Sequence, residues 1–107
     1  MIAYKVLDEN MNSIVTCLYA GGIEYKFKIK NGPRRGCGAL CVFDKKRNAE
    51  KFIELNGFGN ARIFKVRIKK SENRCYIFDS IGGIKRISTL PEGTILADWV
   101  ELIEEIK

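Results

Sequence analysis

Phe64-Lys65-Val66-Arg67-Ile68-Lys69 alternates apolar residues with cations at the period of a β-strand, and residues 23–30 (Ile-Glu-Tyr-Lys-Phe-Lys-Ile-Lys) repeat the pattern. Successive side chains of a strand point to opposite faces. Each stretch therefore predicts a strand that turns its apolar residues toward a core and a row of Lys and Arg toward solvent. Together they predict neighbouring strands of one sheet with a cationic face.

The length of the chain predicts a single domain that spans 1–107. Hydrophobic residues make up 46% and charged residues 30%, a balance that is typical of an ordered globular protein. No apolar run approaches the roughly 20 residues that span a bilayer. The first residues also lack the pattern of a signal peptide. We therefore expect a cytoplasmic protein without a membrane partner.

A helix over residues 45–56 is the clearest local prediction. Asp44 is a good N-cap, and Asn56-Gly57 supplies a C-terminal stop. One face of this helix collects the apolar residues Ala49, Phe52 and Ile53. Strands are predicted around the helix, at residues 3–7, 13–19, 23–30, 39–43, 61–70 and 75–78. The fold class is therefore α+β: a mixed, mostly antiparallel, strongly bent β-sheet packed on one main α-helix of about residues 45–56.

The C-terminal segment, residues 94–106, fits two structures. Its apolar residues recur at helical spacing, but Thr94-Ile95-Leu96 begins like a strand after a Pro-Glu-Gly turn. We predict a strand from Thr94 through the region of Trp99, with a helical end. Trp99 is predicted to anchor the core; stacking on a base is the less favoured alternative, because no other exposed aromatic residue is expected beside it.

The positive charge is concentrated in the middle of the chain. Residues 23–74 contain 15 Lys and Arg against 5 Asp and Glu, whereas residues 75–107 contain 3 against 6. Such a block attracts phosphate backbones, or it simply keeps a sheet solvated and soluble. If it binds, the expected nucleic-acid or polyanion contacts are Lys26, Lys28, Lys30, Arg34, Arg35, Lys65, Arg67 and Lys69.

The loop of residues 31–38 is the best local candidate for a ligand contact. Its three glycines allow close approach of the backbone to a ligand, and Arg34 and Arg35 can bind phosphate or carboxylate oxygens in a bidentate manner. No Gly-Lys-Ser/Thr follows, so the loop is not a Walker A motif. The alternative is a charged crossover between two strands.

Catalytic and metal-binding motifs are scarce. The chain contains no histidine, which excludes Ser-His-Asp and Cys-His catalysis and any zinc site that uses histidine. Cysteines occur at positions 17, 37, 41 and 75, and only Cys37 and Cys41 form a close pair. That spacing is weak for zinc, so we expect free thiols, with Cys37 the accessible one. We predict no catalytic residue, no metal and no cofactor.

Four segments carry a resemblance to known domains: Tyr4-Lys5-Val6-Leu7-Asp8, Leu40-Cys41-Val42-Phe43-Asp44, the strand from Ala61 to Lys69, and Pro91-Glu92-Gly93-Thr94-Ile95-Leu96-Ala97-Asp98. They resemble small uncharacterised microbial and phage domains, some of which are similar to an ADP-ribosyltransferase-like fold. The resemblance implies a strongly bent mixed sheet with one helix. This chain lacks the histidine of a His-Tyr-Glu set and a combination of Arg, Ser-x-Ser and Glu, so no catalytic residue is transferred to it.

Three functions follow as expectations. The first is a small basic binding module that contacts nucleic acid or another polyanion through the cationic sheet face. The second, implied by the resemblance, is a nucleotide- or NAD-handling enzyme of the ADP-ribosyltransferase-like type. The third is a protein-interaction or oligomeric accessory domain, in which a strand edge or an apolar patch pairs with a protein partner or a second copy. The absence of a catalytic motif favours the binding module.

Overall fold

The computed structural model describes residues 1–13, 23–33, 39–72, 75–77, 84–86 and 91–106. The elements within these ranges are β1 (Ile2–Leu7), β2 (Leu40–Phe43), α1 (Lys46–Asn56), β3 (Arg62–Lys70), β4 (Cys75–Ile77), β5 (Ile84–Arg86) and β6 (Thr94–Ile106). Most of the strand predicted for residues 13–19 lies outside the described residues, as do Arg34 and Arg35.

Four strands close into a barrel in the order β1-β2-β6-β3, and β4 and β5 form a separate antiparallel pair. All neighbouring strands of the barrel are antiparallel. β6 is long enough to serve two neighbours, because its first residues pair with β2 and the segment from Ala97 onward pairs with β3. Two register shifts interrupt its pairing with β3. Such bulges bend a strand, which lets a four-stranded sheet curl shut. The α+β class with a strongly bent sheet is confirmed, and the described residues contain one helix.

Two apolar clusters hold the fold together. The first fills the barrel with residues from all four strands, among them Leu7, Val42 and Phe64. The second lies under α1, where Ala49 and Phe52 pack against Val6 and Phe43. Each strand of the barrel therefore has an inner face toward the first cluster and an outer face that the helix covers only in part.

The alternation in β3 is confirmed. Phe64, Val66 and Ile68 are buried, while Arg67 and Lys69 are exposed. Lys65 lies on the same outer face as Arg67 and Lys69 and is half-buried. The period of two thus predicted both the strand and the faces of its side chains.

The prediction of a strand at residues 23–30 is wrong. Only isolated bridges occur there, Lys28 has a left-handed φ of 66°, and Phe27 and Ile29 are 47% and 48% exposed. The cause is the buried side chain of Asn31. Its Oδ1 accepts a bond from the backbone N–H of Lys26 at 2.9 Å, and its Nδ2 donates to the Lys26 carbonyl at 3.0 Å. The Asn31 side chain therefore supplies the hydrogen bonds that a neighbouring strand would otherwise give to the Lys26 backbone, and the chain forms a turn between these two residues.

The helix is confirmed, but its predicted N-cap is wrong. Lys45 occupies the N-cap position and α1 begins at Lys46. The Asp44 carboxylate instead accepts a bond from the Asn48 amide at 2.8 Å, while the Asp44 backbone N–H donates to the Gly93 carbonyl. Asp44 therefore ties the start of the helix to the start of β6. The C-terminal stop is as predicted, with Gly57 at a left-handed φ of 68°.

The strand predicted from Thr94 through the region of Trp99 is confirmed, but its helical end is wrong, because β6 continues as a strand to Ile106. Pairing with β3 over its second half supplies the backbone hydrogen bonds that a helix would make internally. The core role predicted for Trp99 is also wrong. Trp99 is half-buried and belongs to neither apolar cluster.

Candidate polyanion-binding face

The outer face of β3 carries Lys65, Arg67 and Lys69, which we call the β3 row. Across β6, the residues opposite them in register are Glu104, Glu101 and Trp99. Residues that pair across two antiparallel strands share a face. The β3 row therefore stands beside two carboxylates and one indole ring, and it is not a purely cationic surface.

Carboxylates of β6 pair with two cations of the β3 row. The Arg67 guanidinium lies 3.1 Å from Glu101, and Lys69 Nζ lies 4.0 Å from Asp98. Exposed pairs of this kind contribute only about 0–1 kcal/mol each to stability. Their larger effect is on the surface potential, because each carboxylate offsets a neighbouring cation.

Two predicted cations converge on Trp99. Lys30 Nζ lies 4.6 Å from the centre of the Trp99 ring, and Lys69 is the residue opposite Trp99 in the β3 register. Lys30, Lys69 and Trp99 together are called the Trp99 patch below. Both lysines are exposed. The two cationic stretches of the sequence thus approach Trp99 from two sides, and they also touch where the Phe27 ring packs edge-on against Phe64.

Asn31 positions Lys30 in this patch. Its backbone N–H donates to the Val100 carbonyl, and its carbonyl accepts from the Val100 N–H, both at 2.8 Å. Val100 lies beyond Ala97, where the pairing of β6 with β2 ends. The Asn31 side-chain Nδ2 adds a third bond to the Val100 carbonyl at 2.9 Å. Lys30 is thereby held beside the strand that carries Trp99. Residues 23–31 accordingly join the barrel through β6 and not as a direct neighbour of β3.

The other predicted site residues are distributed more loosely. Lys26 and Lys28 are exposed in the turn that Asn31 closes. Arg34 and Arg35 lie outside the described residues, three and four positions beyond Asn31 in the chain. The expectation that both cationic stretches form neighbouring strands with one shared cationic face is therefore wrong. The stretches contact each other through apolar residues, such as Phe27 and Phe64, and their cations come near each other only around Trp99 among the described residues.

Lys5 is a buried charge that sequence reasoning missed. Only 5% of it is exposed, and it follows the same strand face as Ala3 and Leu7 into the barrel. Its ammonium donates to the Cys41 carbonyl at 2.7 Å and lies 5.3 Å from the centre of the Tyr25 ring. Burial lowers the pKa of Lys5 to about 8, against a smaller opposing effect of Cys41. The alternation of Ala3, Lys5 and Leu7 was the available signal.

Cys41 is a free thiol beside this lysine, as expected for the cysteines. Burial raises the pKa of the Cys41 thiol to about 11, and the nearby Lys5 charge opposes the effect. A thiol with that pKa is protonated near neutrality and is a poor nucleophile or metal ligand. Cys17 and Cys37 lie outside the described residues. Across the described parts of the chain, no group of three or more candidate metal ligands occurs.

A second set of cations surrounds the start of α1. Lys45, Arg47 and Lys51 line a cleft of about 430 Å³ with Glu92. Lys51 Nζ lies 2.7 Å from Glu92, and its hydrogen bond lowers the pKa of that carboxyl. The cleft therefore mixes both signs of charge. It provides a reference surface on which charge changes can be compared with those at the Trp99 patch.

Comparison with known proteins adds no neighbour from which a function could be transferred. No family model, no curated protein and no solved structure matches the chain. The resemblance to ADP-ribosyltransferase-like domains and the enzyme function that it implies stay predictions, as does a protein-interaction role. None of the helices in the described ranges is long and apolar enough to cross a membrane.

Proposed function

We propose that this domain is a small basic binding module that contacts nucleic acid or another polyanion through the Trp99 patch and the adjoining β3 row. The supporting observation is the convergence of Lys30 and Lys69 on Trp99 from two separate segments. The Lys30 ammonium lies over the ring, and Lys69 is its exposed neighbour on β3. Because both side chains are exposed, they are free to neutralise phosphates of a bound polyanion.

The distribution of charge favours the turn as the stronger part of this surface. Residues 25–43 contain five cations and no carboxylate. The β3 row, in contrast, has Asp98, Glu101 and Glu104 on the neighbouring strand. We therefore expect the cations of residues 26–35 to contribute most to the binding of a polyanion. The β3 row is a secondary contact, because a polyanion must displace the carboxylates of β6 that already pair with its cations.

Binding of this kind releases counterions, so the affinity depends steeply on salt. The test is the double variant Lys30→Glu/Lys69→Glu, titrated with heparin and with a single-stranded oligonucleotide at several salt concentrations. We expect the affinity for both probes to fall on the order of tenfold or more at low salt, and the slope of log K against log salt to fall by about 2.

The matched control is Lys45→Glu/Lys46→Glu, which makes the same charge change at two exposed positions at the start of α1. This control also keeps the protein folded, because acidic residues near a helix N-terminus are favourable. It is expected to weaken binding far less than the variant of the Trp99 patch. Equal losses in both variants would mean that only net charge matters, and a larger loss in the control would place binding at the helix; either result overturns the proposal.

A further inference from the structure

We infer that the ligand of the Trp99 patch is single-stranded nucleic acid, with one base stacked on the Trp99 ring where the Lys30 ammonium now lies. This inference rests on the proposed function and names its substrate class. The starting point is the position of Trp99 on the outer face of β6, half-buried and outside both apolar clusters. A tryptophan with this placement contributes little to the core, so its large ring is available for a ligand.

The cover over the ring is easy to displace. Lys30 contacts Trp99 through a cation–π interaction at 4.6 Å and is itself exposed. An exposed contact of this type contributes a factor of only about 2 to 5 in an equilibrium constant. Stacking of a base on an aromatic side chain contributes roughly 5- to 150-fold in affinity. A base therefore replaces the ammonium with a net gain in affinity, and Lys30 gains an anionic partner by moving to the adjacent phosphate.

Lys69 provides a second phosphate contact on the same face. It lies opposite Trp99 in the register of β3 and β6, and its ion pair with Asp98 is long, at 4.0 Å. A strand that places a base on Trp99 thus has one lysine from each side of the ring within reach of its backbone. Both cations and the ring can be used at once by a short segment of nucleic acid.

The carboxylates of β6 disfavour a duplex. A duplex keeps its base faces stacked inside and offers a protein its phosphates and base edges. Its wide backbone would extend from the Trp99 patch across Glu101 and Glu104, which interrupt the cationic surface. A single strand needs only the small area around Trp99. The combination of one accessible ring and a narrow cationic area therefore selects unpaired bases.

Trp99 is the only tryptophan of the chain, so its fluorescence reports the proposed contact directly. The full chain is titrated with an oligothymidylate, a duplex of the same length, heparin, and vesicles rich in anionic lipid. We expect saturable quenching by the oligothymidylate, weaker binding of the duplex, and heparin binding without comparable quenching. Quenching in the wild-type protein needs no variant and so does not depend on the folding of one.

The Trp99→Ala variant separates stacking from charge. We expect its affinity for oligothymidylate to fall about tenfold and its affinity for heparin to stay within about twofold. Trp99→Phe, which keeps an aromatic face, is expected to recover part of the loss and serves if the alanine variant is unstable. Heparin binding without preference for the oligothymidylate, and without quenching by it, would overturn this inference but leave the polyanion function standing. Failure of every polyanion to bind would overturn both, and binding to vesicles alone would replace nucleic acid with a lipid surface.

Discussion

Lys5 places a titratable charge inside the barrel. We predict that its replacement by methionine changes the unfolding free energy with a sign that depends on pH. Methionine is unbranched and of similar length, so it fills the space of the lysine stem. The difference between the ordinary pKa of 10.5 and a pKa of about 8 corresponds to about 3 kcal/mol of unfolding free energy. Below pH 8 the folded protein bears this full cost, because the ammonium is buried in the folded state and solvated in the unfolded one.

The cost disappears as pH rises. Between pH 8 and 10.5 the unfolded state binds more protons at Lys5 than the folded state, so the lysine's contribution to stability rises with pH. Cys41 acts in the opposite sense, since a thiol pKa raised to about 11 lowers stability as pH passes 9. Comparison of Lys5→Met with the wild type largely removes the Cys41 contribution, because both proteins retain that thiol.

The variant also loses a hydrogen bond. The Cys41 carbonyl, which accepts from Lys5 Nζ at 2.7 Å, is left without this donor, at a cost of about 1–2 kcal/mol that does not depend on pH. We therefore expect Lys5→Met to be more stable than the wild type by about 1–2 kcal/mol at pH 7 and less stable by about 1 kcal/mol above pH 10. The two stabilities should cross between about pH 9 and 10.

The assay is urea unfolding at pH 7, 8, 9 and 10.5, followed by the fluorescence of the single tryptophan. Lys70→Met is the matched control, because it removes an exposed lysine of β3 and is expected to change stability by less than about 0.5 kcal/mol. A constant difference between Lys5→Met and the wild type over this pH range would refute the reasoning. It would mean that the folded protein does not penalise the ammonium.

Three further predictions concern single residues. Gly93→Ala should lower the unfolding free energy by about 1–3 kcal/mol in urea titrations, because Gly93 has a φ of 81° and an added Cβ would collide with Asn48; an unchanged midpoint would contradict this. Asn31→Ala should cost about 2–3 kcal/mol by removing a buried amide that holds the turn, and it should also weaken oligonucleotide binding, whereas an effect on binding alone would show that the turn does not need the amide. Cys41 should be alkylated more slowly in the folded protein than in denaturant, because its thiol is half-buried and its pKa is raised to about 11; equally fast labelling in both states, measured by mass spectrometry of the labelled peptides, would contradict this.

The sequence predicted well those parts of the fold that are determined by residues within a single helix or strand. The apolar face of α1 and its end at Gly57 depend on spacing and on a single backbone angle, and both are legible within a dozen residues. The inward residues of β3 likewise follow from a period of two. In the candidate site, Lys30 and Lys69 were named correctly as exposed cations. Their positions near Trp99 depend on the register of β3 and β6 and on the bridge between Asn31 and Val100, which no local pattern encodes.

The failures share a physical cause. Residues 23–30 have the pattern of a strand, yet the side chain of Asn31 satisfies the Lys26 backbone and turns the chain. The segment around Trp99 has an apolar spacing compatible with a helix, yet β3 offers it a ladder of hydrogen bonds along most of its length. The conformation of each segment depends on which hydrogen-bond partner its backbone N–H and C=O groups find in the folded chain, and the periodicity of the side chains does not indicate that partner.

Composition and the periods within single segments were enough to predict the α+β class, the helix α1, the two faces of β3 and the basic character of the middle of the chain. Closure of the sheet into a barrel, the burial of Lys5 inside it and the position of Trp99 outside the core, under Lys30 and opposite Lys69, depend on contacts between distant segments. Closure sets which face of each strand becomes the interior. Closure depends on how strands that are distant in sequence pair with one another, and a pattern within one segment carries no information about that pairing.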